Sequence, residues 1–230
     1  MRRLKEHTLG EPYTIRDALE LYNLSTWGFV LFRCTYSSQE KWDKFLARVQ
    51  GDTRKIFEKA RLMDVYARMR WTIFEDAAAL DGADILETTR RFVEWVDRGP
   101  GGQELVGSVF GTTMAKTRTP RHNFFFHVDE ESLESVVDDE KVAKAYKEGR
   151  EPFCRMVMAH ALDLDAITID RERGVYCENG RELEESEVEE FSKRVMVDCL
   201  VPLYAVLSVE LYAWCCLVSF EQGPPYIFMH

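Results

Sequence analysis

The chain is 230 residues long, 46% apolar and 12% aromatic, which excludes a disordered or collagenous protein. A chain of this length buries roughly 70% of its unfolded surface, so a single domain over residues 1–230 is expected. Asp and Glu number 40 against 30 Lys and Arg, for a net charge of −10. A broad nucleic-acid-binding surface needs clustered positive charge, so DNA is not an expected partner.

No apolar run of signal-peptide length follows Met1-Arg2-Arg3-Leu4-Lys5, so a cytoplasmic protein with reduced thiols is expected. Trp27 to Tyr36, WGFVLFRCTY, is aromatic and β-branched and reads as a central strand. Ser37 and Glu40 have capping-box spacing. Trp42, Phe45, Leu46 and Val49 recur at helical spacing, which predicts a helix from Gln39 to Val49 that can extend to Ala60. Arg70 to Glu75 reads as a second strand. Asp84 and Glu87 then open a helix whose buried side carries Ile85, Thr89, Phe92, Val93 and Val96, and Gly99-Pro100-Gly101-Gly102 stops it. Residues Gly99 to Pro120 hold five of the 13 glycines and read as a long loop.

His122 to Val128 is a third strand, and Asp129 is placed to cap a helix over Glu130 to Val137. Asp138 to Gly149 is charged and reads as exposed, and Phe153 to Leu162 reads as a strand. Glu178 to Glu190 carries seven glutamates against one arginine, an acidic solvated loop. Ser192 to Val197 is a strand, Pro202 opens a helix running to Glu210, and Trp214 to Phe220 is a last strand. Leu200 to Phe220 is 21 residues with one charge, long enough to cross a bilayer. Glu210 near its middle would cost about 2.5–3.5 kcal/mol there, so the stretch reads as a buried helix and strand, with no membrane partner. Short strands interleaved with helices predict an α+β fold. The expected form is a ferredoxin-like or related sandwich, a mostly antiparallel mixed sheet with helices on one face; a doubly wound sheet is the alternative.

Three segments carry a resemblance. WGFVLFRCTYSSQEKWDKF, RHNFFFHVDEESLESVV and LVPLYAVLS, with a closing aromatic strand and Pro224-Pro225, resemble a widespread group of uncharacterised filamentous-fungal proteins over Trp27 to Pro225. That group supplies no catalytic residue to carry over. In size and in lacking an enzyme signature the chain is also similar to fungal enzymes that make arginine-containing cyclic dipeptides from aminoacyl-tRNA. That likeness implies a tRNA-dependent cyclodipeptide synthase of secondary metabolism, a transferase. It would need a basic stripe, for which Arg48, Arg54, Lys55, Lys59, Arg61, Arg68 and Arg70 are the dense candidates.

The chemistry lies in where acids fall. Glu75 and Asp76, then Asp129, Glu130 and Glu131, then Asp163 and Asp165, then Asp198, and finally Glu221 each close an expected strand. If those strands run together, the carboxylates share one rim, attract a cation and raise one carboxyl pKa. Asp84 and Asp129 are also accounted for as helix caps, and strands end in polar turn residues whatever their function. His127 alternates onto the same face as Asp129, as an oriented general base does, while His122 falls on the opposite face. His160 reads as a histidine at the edge of the core. Arg33 interrupts an apolar strand and needs a partner: either an ion pair with a carboxylate such as Glu75, or a substrate carboxylate or phosphate. Tyr36 ends the same strand as a candidate acid or substrate hydrogen bond. Cys34 reads as a buried structural thiol.

No CxxC pair, HxxxH spacing, GxSxG, Walker loop or GxGxxG occurs, so neither a metal nor another cofactor is expected. Two readings follow. The first is a soluble enzyme acting by acid–base chemistry on a small cationic metabolite, with His127, Asp129, Glu75 and Tyr36 catalytic and Arg33, Asp76, Asp163 and Asp198 binding substrate. The alternative is a non-catalytic homodimer pairing through a sheet face or edge.

Overall fold

A computed structural model describes residues 3–107, 119–147, 152–159, 162–170, 172–173, 175–184, 187–188 and 191–209. The expected closing strand over Trp214 to Phe220, His160 and Glu221 lie outside the described residues.

The expected central strand is β1 (Val30–Arg33), every residue of which is buried. β1 pairs in parallel with β2 (Thr72–Phe74) on one side and with β3 (Phe124–Val128) on the other. β4 (Phe153–Met158) runs antiparallel to β3, and β8 (Ser192–Met196) antiparallel to β4. The strand order is β2-β1-β3-β4-β8. The fold is α+β, with a mixed sheet as expected. In detail two of its four pairings are parallel, so the sheet is not mostly antiparallel. The reason is topological: both connections β1 to β2 and β2 to β3 contain long helices, which allow parallel returns.

Those helices are α2 (Gln39–Ala60) and α5 (Ile85–Asp97), and they lie on opposite faces. Helices therefore cover both faces, not one. On α2, Trp42, Phe45, Val49, Thr53 and Phe57 are buried at steps of three and four residues. Ser38 rather than Ser37 caps it, accepting from the Lys41 amide, and Arg61 ends it in a left-handed conformation. The α2 face also carries α1 (Arg3–Leu21), α8 (Glu130–Val137) and α10 (Leu200–Val209), packed around Trp27, Phe29, Leu31, Phe126 and Tyr204. The charged stretch after α8 is itself a helix, α9 (Asp139–Lys147). On the other face, Val30, Phe32, Phe125 and Val157 meet Phe92 and Trp95 of α5.

A small antiparallel sheet shares that second face. It is built from β5 (Ile167–Asp170), β6 (Val175–Glu178) and β7 (Arg181–Glu182). Its Ile167, Ile169 and Tyr176 pack on the α5-side core. Periodicity did not reveal it, because its strands are half-exposed and two to four residues long. The shortest helices are α3 (Met63–Tyr66), α4 (Ala77–Leu80), α6 (Pro100–Gln103) and α7 (Pro120–Asn123). α7 displaces His122 from the expected third strand into a helical turn. Among the described residues no helix is long and apolar enough to cross a membrane.

The amino-terminal end of the sheet is pinned by Arg121, only 1% exposed. Its Nε and Nη2 donate to the two Glu104 oxygens at 2.7 and 3.0 Å, and Nη2 also donates to Thr72 Oγ1 at 2.7 Å. Nη1 donates to the carbonyls of Arg70 and Phe29. All five N–H groups of the fork are thereby used. Burial alone would raise the Glu104 carboxyl, but Arg121 and His122 hold it down at about 2. His122, kept neutral by burial, stacks on Trp95.

Candidate functional site

Parallel β1, β2 and β3 place their carboxyl ends on one rim, where open α/β sheets bind ligands. A cavity of about 430 Å³ opens there on the α5 face. It is lined by Asp84, Ile85, His127, Asp129, Arg155, Val175, Tyr176, Leu183 and Val188. Four segments converge: the start of α5, the end of β3, the middle of β4, and the small sheet with the residues after it.

His127 is the penultimate residue of β3 and is 4% exposed. Its Nδ1 lies 3.5 Å from Cys34 Sγ and 3.2 Å from Thr88 Oγ1. Both neighbours have other uses for their protons. Thr88 Oγ1 sits 3.1 Å from the Asp84 carbonyl and 3.0 Å from that of Ile85, and Cys34 Sγ lies 3.6 Å from the Phe32 carbonyl. With those hydrogens donated to backbone, Nδ1 carries the imidazole proton and donates inward. Nε2 is then the unprotonated nitrogen. Among the described residues no hydrogen bond is made to it, and His127 lines the cavity, so Nε2 is the nitrogen left for a ligand.

Burial pushes the His127 pKa down to about 4, partly opposed by the carboxylate of Asp129 and, more weakly, of Asp84, and reinforced by Arg155. The ring is therefore neutral at pH 7. Burial also raises the Cys34 thiol, with Asp129 and Asp84 adding to the effect, so Cys34 stays protonated and acts as a positioning contact. Tyr176 is pushed up to about 12, mainly by burial, and remains a phenol.

The two cavity carboxylates are held by the caps they form. Asp84 Oδ1 accepts from the Glu87 amide at 2.9 Å, and Asp129 Oδ1 accepts from the Ser132 amide at 2.8 Å. Cap and site are one arrangement here: the cap fixes the side chain at the cavity wall. Arg155 is paired in register with His127 across β3–β4. Its Nε is 3.8 Å from Asp129 Oδ2 and its Nη2 3.5 Å from Glu131 Oε2, contacts too long for strong hydrogen bonds. The wall thus carries two carboxylates against one guanidinium that is shared with Glu131.

Of the residues expected to form the site, the structure brings His127 and Asp129 together. Arg33, Tyr36 and Glu75 form a separate group around Trp42, at the ends of β1 and β2. Alternation along β1 sends Arg33 toward α2 and Cys34 toward α5. The expected Arg33–Glu75 ion pair is not made: Glu75 accepts from Trp42 Nε1 at 2.5 Å, and Arg33 donates to the Thr35 carbonyl and Gln39 Oε1. Asp76 is exposed and caps α4 through the Ala78 amide. Asp163 accepts from the Asp165 amide in an exposed turn beyond β4. Because β4 is antiparallel to β3, that turn follows the far end of the sheet and leaves the shared rim. Asp198 follows β8 in a 3-10 turn, and its side chain lies outside the described residues.

The residues missed were Asp84 as more than a cap, Thr88, Arg155 and Tyr176. Arg155 carried the same signal as Arg33, a charge inside an apolar strand. The basic run proposed for tRNA is engaged locally. Arg48 donates to the Val136 carbonyl, Arg54 pairs with Glu58, Lys55 with Asp52, and Arg68 reaches the carbonyls of Leu24 and Ser25. Among the described residues no group of three His, Cys, Asp or Glu side chains is set to hold a metal ion. No protein-family model, curated protein or solved structure matches the chain.

Proposed function

We propose that the cavity binds a small metabolite bearing an amine or guanidine cation and carries out acid–base chemistry on it through His127. The observation that supports this best is that His127, whose Nε2 has no hydrogen-bond partner among the described residues, lines one cavity with Asp84, Asp129, Arg155 and Tyr176. The described lining residues carry two carboxylates and one guanidinium, a formal charge of −1, which favours a cationic ligand. Nε2 accepts a proton from the substrate, and Asp129 with Asp84 stabilises the imidazolium that forms. Nδ1–H, held by Thr88 and Cys34, keeps the ring in place during that transfer. Arg155 and the Tyr176 phenol line the same cavity and serve as donors to an oxygen that gains negative charge. The proton then returns from Nε2 to the product or to water, leaving the ring neutral.

The buried thiols Cys34 and Cys154 suit a reducing, cytoplasmic setting. The homodimer alternative gains nothing from an open sheet face, since both faces of the five-stranded sheet are covered.

The test is a thermal-shift and calorimetric comparison of L-arginine, agmatine and putrescine with succinate and glycerol. The cations stabilise the wild type and do so far less in Asp84→Asn and Asp129→Ser. Mass spectrometry of a cell-extract metabolite pool then shows an amine or guanidine consumed by wild type and spared by His127→Asn. Equal response to all five probes, or equal consumption by the His127 variant, refutes the reading.

A further inference from the structure

The Arg33 group lies outside the cavity and outside the chemistry above. Arg33 is 4% exposed, and no carboxylate among the described residues comes within 4 Å of its nitrogens. A buried charge without a counter-charge is costly, so its surroundings call for an anion. The two nearest acids are turned elsewhere. Glu75 is held by the Trp42 indole N–H, and Glu130 by the hydroxyls of Thr35 and Ser37, with Lys41 at 3.8 Å.

The guanidinium lies against the rings of Tyr36 and Trp42, its carbon 4.3 and 5.0 Å from their centroids, which fixes the orientation of the fork. Two of its five N–H groups are used, by the Thr35 carbonyl at 3.0 Å and Gln39 Oε1 at 2.8 Å. Nη2 makes no hydrogen bond among the described residues. The neighbouring Tyr36 hydroxyl is buried and has no partner among the described residues. Nη2 and the Tyr36 hydroxyl together offer a carboxylate its donors. Phosphate fits less well, because Glu75 and Glu130 flank the site and repel a dianion more than a monoanion.

We propose that Arg33, with Tyr36, forms a second binding site that takes a small carboxylate, at the carboxyl end of β1 and separate from the His127 cavity. The carboxylate belongs either to a free acid or to a peptide C-terminus, and the geometry at Arg33 is common to both.

The test is titration of the whole protein with acetate, N-acetylglycylglycine and phosphate at matched ionic strength against chloride. Readouts are thermal shift and the Arg33 Nε–H resonance. Both carboxylates saturate and shift that resonance, and phosphate binds at least about tenfold more weakly. Stronger response to the blocked dipeptide identifies a peptide C-terminus as the natural source, and equal response a free acid. Arg33→Gln abolishes the effect and Tyr36→Phe weakens it, whereas His127→Asn and Asp129→Ser retain it. Retention in those cavity variants separates this proposal from the preceding one. If Arg33→Gln does not fold, the wild-type resonance decides: no movement with carboxylate, or equal movement with chloride, overturns the proposal. A carboxylate response that survives in folded Arg33→Gln overturns it as well.

Discussion

The two rims of the five-stranded sheet treat basic side chains in opposite ways. At the amino-terminal rim Arg121 uses all five N–H groups, two of them on Glu104. At the carboxyl rim, among the described residues, Arg33 uses two, Arg155 makes contacts of 3.5 and 3.8 Å, and no hydrogen bond is made to His127 Nε2. A saturated network fixes a structure and has nothing left for a ligand. Under-used donors beside a cavity cost stability, and a ligand can relieve that cost.

This contrast predicts its largest effect at Arg121. Arg121→Met leaves the Glu104 charge, two carbonyls and the Thr72 hydroxyl without their donor. Breaking one side of a buried pair costs about 3–5 kcal/mol, readable as a lower urea midpoint at pH 7. The pH dependence sharpens this point. Glu104 is held at about 2 in the folded state, so its contribution is present above the unfolded carboxyl pKa and is lost as pH falls toward 2. A midpoint within the error of wild type would remove the claim that this rim is a structural pin.

The second effect is at His127. Its folded pKa, about 4, lies below the ordinary imidazole value of 6.5. Between those values the unfolded chain holds a proton that the folded ring refuses, so stability falls as pH drops from 6.5 to 4 and levels off below. The shift corresponds to about 3 kcal/mol over that window. His122, also lowered by burial, adds in the same direction, so the clean measurement is the difference in slope between wild type and His127→Asn. Equal slopes would mean that His127 is not buried neutral.

The sequence exposed these rims unequally, for physical reasons. Caps are local, so Asp84 and Asp129 were readable from three-residue spacing, and so were the helices that follow them. His127 and Asp129 on one face follow from strand alternation. What alternation along single strands could not supply was the sheet's division of the rim. Arg33 and Cys34 are neighbours in sequence, yet one meets Trp42 of α2 and the other His127 and Thr88 behind α5. Strand direction was equally hidden: Asp163 looked like another rim acid until antiparallel β4 placed it beyond the opposite end. The small sheet that brings Tyr176 to the cavity had no periodic signal at all.

The cap residues allow the local and the shared roles to be separated. Asp129→Ala loses both the cap and the cavity charge and costs about 1 kcal/mol in chemical denaturation. Asp129→Ser keeps a capping oxygen and removes only the charge. It therefore stays within about 0.5 kcal/mol of wild type while losing affinity for agmatine. If serine restores amine binding along with stability, Asp129 is a cap and nothing more.

Arg155 provides a small stability change and the sharpest contrast with Arg121. Its partners Asp129 and Glu131 keep other donors, the Ser132 amide and Arg194. Arg155→Met accordingly costs within about 1 kcal/mol, the range of partly exposed ion pairs. The cavity meanwhile loses the Arg155 guanidinium, and the formal charge of its described lining residues moves from −1 to −2. Amine probes bind more tightly as a result, and a substrate that needs a donor for developing negative charge turns over more slowly. Two arginines at opposite rims of the sheet thus divide by role: one holds the fold with little left for a ligand, and the other does little for the fold while keeping its donors available. Calorimetry with agmatine on the Arg155 variant decides the point, because unchanged or weaker binding would show that this guanidinium does not oppose a cation in the cavity.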